Sequence, residues 1–332
     1  MTPAWPLPAG VATGVGSMPG EDPRETARAV LGELGAFPFL AELPGRGPWA
    51  DLTGRSTALL ADLHVDLQPS GWRITARPSR DGQRARDLLS RDLDALEETG
   101  EQPAALKVAC AGPWTLAATV ELGRGDRLLA DHGAVADLTA SLAEGLRAHL
   151  ADLRRRFPAT ALVLQLDEPA LPGVLAAQIP TASGFGRLRA PDRQTARDRL
   201  AEVLGVADQT VVHCCAPSPP VALLVEAGAG ALSVDATLLT PRDDDDLGSA
   251  VEQGRVLLLG LVPSVDAQLS DLAAIMEPAT RLWRRLGFDA DRLSASVVPT
   301  PTCGLAGASP TYAVQALRAC VEIARRLGEA PE

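Results

Sequence analysis

The chain has 332 residues and a formal net charge of -11, a length that suits one large α/β barrel or two smaller domains at roughly 100–200 residues per domain. The acidic balance repels phosphate backbones and excludes nucleic acid as an expected partner. With 46% hydrophobic and 22% charged residues, the composition is globular.

Residues 1–20 lack a basic start followed by an apolar core, and the apolar run 256–262 falls short of the roughly 20 residues a membrane span takes. The expectation is a cytoplasmic protein with no membrane partner. Short apolar runs then alternate with helical stretches along the chain. Residues 12–17 read as a first strand, followed by a helix over 22–34 with Asp22 and Pro23 in cap and first-turn positions. Residues 38–43 read as a second strand. Residues 67–76, with Pro69, Gly71 and Trp72, break the alternation and read as a hairpin inserted after a helix.

A third strand is expected at 106–111, a helix at 134–157 and a fourth strand at 161–167. A helix over 194–204 leads to a fifth strand at 210–215, and a helix over 219–226 to a sixth at 231–235. The run Asp243 to Asp246 cannot converge on one ion and reads as a solvated helix N-terminus. Strands at 256–262 and 295–300 and helices at 267–286 and 311–327 complete the chain. Eight strands without a composition break point to a parallel (β/α)8 TIM barrel, residues 1–332 as a single domain. A doubly wound sheet fits less well, because Gly14-Val15-Gly16 and Gly184-Phe185-Gly186 lack the third glycine of a phosphate loop.

A barrel carries its chemistry at the carboxyl ends of its strands. Those ends hold Gly16-Ser17-Met18-Pro19, Glu42, Asp167-Glu168-Pro169, His213-Cys214-Cys215, Asp235 and Thr302-Cys303-Gly304. Residues two apart in an extended segment point the same way, so His213 and Cys215 can reach one ion while Cys214 faces away. His213, Cys215, Asp235 and Cys303 offer nitrogen, oxygen and two sulfurs, a set that suits zinc, not magnesium or calcium. Neutral histidine, two thiolates and a carboxylate around Zn2+ sum to about -1, which favours attack by a bound thiolate over hydrolysis by bound water. The bland alternative is a set of buried strand residues.

Other positions stay open between two roles. One of Asp167 and Glu168 faces the mouth and the other outward, for binding an ammonium group or capping the segment from Pro169. Glu42 either serves the site or pairs with Arg46 or Arg55. Ser17 marks a turn whose exposed N–H groups suit a carboxylate, and Trp114 either packs under its loop or walls a ring-shaped ligand. Cys110 and Cys320 read as packing residues, and His64, His132 and His149 as helical residues without partnered motifs.

These motifs resemble the catalytic barrel of cobalamin-independent methionine synthase. The residues that carry the resemblance are Gly16 to Pro19, Gln165-Leu166-Asp167-Glu168-Pro169-Ala170-Leu171, His213-Cys214-Cys215, Ser233-Val234-Asp235 and Cys303-Gly304-Leu305. The resemblance implies zinc-dependent methyl transfer to the thiol of homocysteine, with 5-methyltetrahydrofolate as donor. It implies His213, Cys215 and Cys303 as zinc ligands, with Asp235 where the family has glutamate. It implies Asp167 and Glu42 as the catalytic carboxylates that hold the substrate ammonium, and Gly16 and Ser17 for its carboxylate. Arg77 and Trp114 fall to the donor pocket. The family's long forms carry a second barrel and a histidine after the seventh strand, where this chain has Leu261-Val262-Pro263-Ser264. The rival reading is therefore a methyl-corrinoid donor, delivered by a corrinoid protein partner. Weaker rivals are a uroporphyrinogen-decarboxylase-like enzyme and a non-catalytic zinc protein.

Overall fold

The computed structural model describes residue 5 and residues 7–329. A short antiparallel hairpin, β1 (His64–Gln68) and β2 (Gly71–Thr75), precedes six strands that lie parallel in chain order. These are β3 (Ala105–Ala111), β4 (Ala161–Asp167), β5 (Thr210–Cys214), β6 (Ala231–Asp235), β7 (Val256–Val262) and β8 (Val297–Pro301). Every position of β3, β5, β7 and β8 is buried, as expected of parallel strands covered on both faces.

The sheet curls into a half-barrel, and the expectation of eight regular strands is corrected to six. The first two expected strands are extended segments that span the open side. Thr13 N donates to Pro299 O of β8 (3.3 Å), Glu42 N to Gly16 O (3.0 Å) and Leu40 N to Lys107 O of β3 (2.9 Å). Pairing there reduces to isolated bridges, Ser17 with Glu42 and Phe39 with Lys107. The cause is local composition. Pro19, Pro38 and Pro44 donate nothing to a ladder, and at Gly14 a Cβ would overlap the Phe39 ring.

Caps place most of the helices. Asp22 accepts from Arg24 N (2.8 Å) and Glu25 N (3.3 Å) at the start of Pro23–Leu34, and Asp131 opens His132–Arg156 in the same way. Helix Leu272–Leu286 starts later than expected, where Asp271 accepts from Ala274 N (3.0 Å). The aspartate run does open a helix, Asp244–Glu252, with Asp243 accepting from Thr240 N (2.8 Å) and Asp244 paired with Arg285 (2.8 Å). The charged stretch Arg80–Glu97, which apolar periodicity leaves unassigned, is an 18-residue helix capped by Ser79. His64 opens β1 instead of lying on a helix.

Two apolar clusters result. The larger lies between sheet and helices, where Leu138, Leu142, Leu146 and Leu150 of His132–Arg156 are buried. Full burial of each such leucine contributes about 1.5–3 kcal/mol. The smaller fills the lower interior of the half-barrel with Phe37, Ala105, Val163, Val211, Ala231 and Val298. Two residues further along each strand the same parity turns polar, through Lys107, Gln165, Asp167 and His213. The floor is dry and the mouth is charged. Among the described residues no helix is long and apolar enough to cross a membrane.

Candidate active site

His213 is the fourth residue of β5, Cys215 follows that strand, and Cys303 lies two residues beyond β8. Strand parity turns His213 and Cys215 to the mouth and leaves Cys214 wholly buried on the other side. The ligand atoms of His213, Cys215 and Cys303 lie within 4.8 Å of one another. The two sulfurs are 3.6 Å apart, close to the roughly 3.8 Å expected of two thiolates on a tetrahedral zinc with Zn–S bonds of about 2.3 Å.

His213 has one ring nitrogen bonded and the other open. Its Nδ1 lies 2.9 Å from Ser233 Oγ, while the buried Nε2 has no hydrogen-bond partner among the described residues. A partner on the outer nitrogen fixes the ring and leaves the inner one for a metal. The two cysteine sulfurs lie within hydrogen-bond distance of each other. The hydrogen bond between them pulls the Cys303 thiol down and pushes Cys215 up, and His213 lowers Cys303 further.

Asp235 is not in this group. It ends β6 half-buried, and its Oδ1 accepts from Thr237 N (2.9 Å) and Thr237 Oγ1 (2.6 Å), capping its own turn.

Asp167 stands beside the metal group, in register with His213 across β4 and β5. It is 6% exposed; burial pushes its carboxyl up, and its Oδ1 accepts from Gln165 Nε2 at 2.7 Å. Glu42 is equally buried, and its Oε1 has no hydrogen-bond partner among the described residues. Burial pushes Glu42 up to about 7, opposed in part by Arg55. Neither arginine expected as its structural partner takes it. Arg55 bonds Ala41 O (2.7 Å) and Asp92 (2.9 Å), and Arg46 bonds Asp92 (2.7 Å).

Sequence reading passed over Lys107. It sits at the centre of β3 with no exposure, and Nζ donates to Val15 O and to Gln165 Oε1, both at 2.6 Å. Burial pushes it down to about 7, against the pull of Asp167 and Glu42. The signal lay in parity: Lys107 shares its face with Ala109 and Ala111, as Gln165 does with Asp167.

The remaining expected positions divide. Gly16 O accepts from Glu42 N, and Ser17 O from Leu305 N (2.8 Å), so both border the mouth near Cys303. At Gly304 a Cβ would overlap Ser17 Oγ. Glu168 faces outward and caps, but on a different segment from the one expected. It accepts from Trp114 N (3.0 Å), Thr115 N (2.7 Å) and Thr115 Oγ1 (2.7 Å), closing the start of helix Pro113–Thr119. Trp114 is 1% exposed and donates through its indole to Ala196 O (3.0 Å), which makes it a packing residue here. Arg77 is exposed beyond β2, away from the buried cluster.

A family profile described as "Cobalamin-independent synthase, Catalytic domain" matches residues 11–326. The chain belongs to this family. It is therefore a methyltransferase of the cobalamin-independent methionine synthase type. The B12-independent methionine synthase from Shewanella sp. W3-18-1, solved in complex with selenomethionine, has a similar fold. Its TM-score is 0.63 at 12% identity, over 97% of this chain and 98% of that one. A Cellulomonas fimi endo-beta-1,4-mannanase double mutant superposes less closely, with TM-score 0.46 at 12% identity over 94% of this chain and 71% of that one. Comparison with curated protein sequences gives no significant match. Membership in the cobalamin-independent family corrects the corrinoid alternative: neither a methyl-corrinoid donor nor a corrinoid protein partner is supported.

Proposed function

We propose that this synthase transfers a methyl group from 5-methyltetrahydrofolate, as its polyglutamate, to the thiol of homocysteine. The reading is carried by one juxtaposition, the His213, Cys215 and Cys303 group beside the buried carboxylates Asp167 and Glu42. His213 Nε2 and the two sulfurs would hold zinc, and their spacing fits it. Zinc bound there keeps an incoming thiol deprotonated near neutral pH.

The chain's own residues supply the rest. Asp167 and Glu42 are buried beside Lys107, with Arg55 also acting on Glu42 and His213 on Asp167, and Glu42 Oε1 still lacks a donor, so the mouth suits one more positive charge. The ammonium group of an α-amino acid supplies that charge and a donor for Glu42 Oε1. Backbone around Gly16 and Ser17 takes the substrate carboxylate, and the dry lower interior keeps water from the thiolate. Asp235 remains a candidate fourth ligand on release from Thr237, and Arg77 a candidate for the donor side, whereas Trp114 packs under its loop. The fold is read as a (β/α)8 barrel in a single domain, with the two extended segments as its irregular staves, working in the cytoplasm.

The test is methionine formation by zinc-loaded protein from homocysteine and methyl-tetrahydrofolate triglutamate. No methionine from that mixture, with one equivalent of zinc bound, would sink the reading.

A further inference from the structure

Lys107 and Gln165 are wholly buried, yet neither is needed to fill space that a methionine would fill. Burying a cation is costly unless it is fully bonded, so their bonding pattern bears on what the mouth does. Lys107 Nζ donates to Val15 O and Gln165 Oε1, and lies over the Phe39 ring at 5.5 Å from its centroid. Gln165 Nε2 donates to Val15 O (2.9 Å) and to Asp167 Oδ1 (2.7 Å).

The Val15 carbonyl accepts and never donates, so the Gln165 atom facing it, on the Asp167 side, is the NH2. The Gln165 atom facing Lys107 must therefore be the oxygen, and its NH2 must face Asp167. The opposite amide orientation would set NH2 against the ammonium group and oxygen against a carboxylate and a carbonyl. Val15 O and Lys107 thus fix one polarity along β3 and β4, Lys107 to amide to carboxylate. Asp167 Oδ1 is held from below, and Oδ2 remains the oxygen presented to the mouth.

We propose that Lys107 and Gln165 are positioning residues that aim Asp167 at the ammonium group of the thiol substrate. The proposal rests on the ammonium reading above and extends it to the residues that set selectivity between an amino-acid thiol and a plain one. Val15 O, the shared acceptor, ties this relay to the segment that carries Gly16 and Ser17.

The experiment is calorimetric binding of homocysteine and of 4-mercaptobutanoate, which is homocysteine without its amino group, to zinc-loaded wild type, Lys107→Met and Gln165→Met. Zinc stoichiometry and circular dichroism check that each variant is folded. Both variants should keep one zinc and bind 4-mercaptobutanoate as wild type does. Homocysteine should weaken roughly tenfold to a hundredfold, the loss that accompanies removal of a hydrogen bond to a charged group. If Lys107→Met does not fold, Gln165→Met decides alone. Equal weakening of both thiols, or an unchanged preference for homocysteine, overturns the positioning role. A wild type that binds the two thiols equally overturns the ammonium site itself, a failure distinct from variants that keep the wild-type preference.

Discussion

Ser233 holds the outer nitrogen of His213, so the proposed metal site would depend on a residue that no ligand count would include. Cys303→Ser and His213→Ala should each lose bound zinc, whereas Cys320→Ser, buried in helix Pro310–Gly328, should keep one equivalent by metal analysis. Glu42 has a signature of its own. Its folded pKa near 7 exceeds the ordinary value of 4.5, so the folded chain keeps a proton that the unfolded chain releases between those values. Stability therefore falls as pH rises through about 4.5 to 7, by about 2–4 kcal/mol from this group. Glu42→Gln should flatten that slope in denaturant titrations of the substrate-free protein, while weakening homocysteine. An unchanged slope would remove Glu42 as its source. The convergence of His213, Cys215 and Cys303 was legible in the sequence, because strand parity and strand ends suffice to bring them to one place. Lys107 was not, since one cation disappears into an otherwise apolar run. That Asp235 lies outside the group was not legible: a short carboxylate at a strand end is as well placed to cap its own turn as to reach an ion.

At the scale of elements, glycines report how closely helices approach their neighbours. Gly145 in His132–Arg156 faces Leu59 O, where a Cβ would overlap the carbonyl, while Gly32 in Pro23–Leu34 has nothing within 4 Å. Alanine ordinarily stabilises a helix interior by up to about 1 kcal/mol over glycine. Gly32→Ala should therefore raise the denaturation midpoint. At Gly145 overpacking of about 1–3 kcal/mol exceeds that gain, so Gly145→Ala should lower it. Equal shifts for both would contradict the close helix approach. The start of Pro23–Leu34 was legible from Asp22 and Pro23. The helix Arg80–Glu97 was not, because its buried face rests on Ala85, Leu89, Leu93 and Leu96 amid charge. The first two staves were legible as extended chain but not as irregular, since the Phe39 ring against Gly14 is a contact between segments.

For the molecule as a whole, the metal group joins the end of β5 to the loop after β8, with Cys215 and Cys303 separated by 88 residues. A ligand that binds only the folded chain stabilises it by about 2.7 kcal/mol at a free concentration of 100 Kd. Zinc at that level should raise the wild-type Tm by roughly 4 °C in calorimetry, and should leave Cys303→Ser unmoved. An equal shift in both would place the metal elsewhere. The alternating architecture was legible because the crossovers between the six parallel strands advertise themselves, but the convergence of β5 and β8 was inferred from barrel topology, not from any local signal. That separation also orders events in time. A ribosome adding about 5–20 residues per second makes Cys303 roughly 4 to 18 s after Cys215. During that interval the nascent chain lacks one of the three proposed ligands, so tight metal uptake by this group would have to await Cys303.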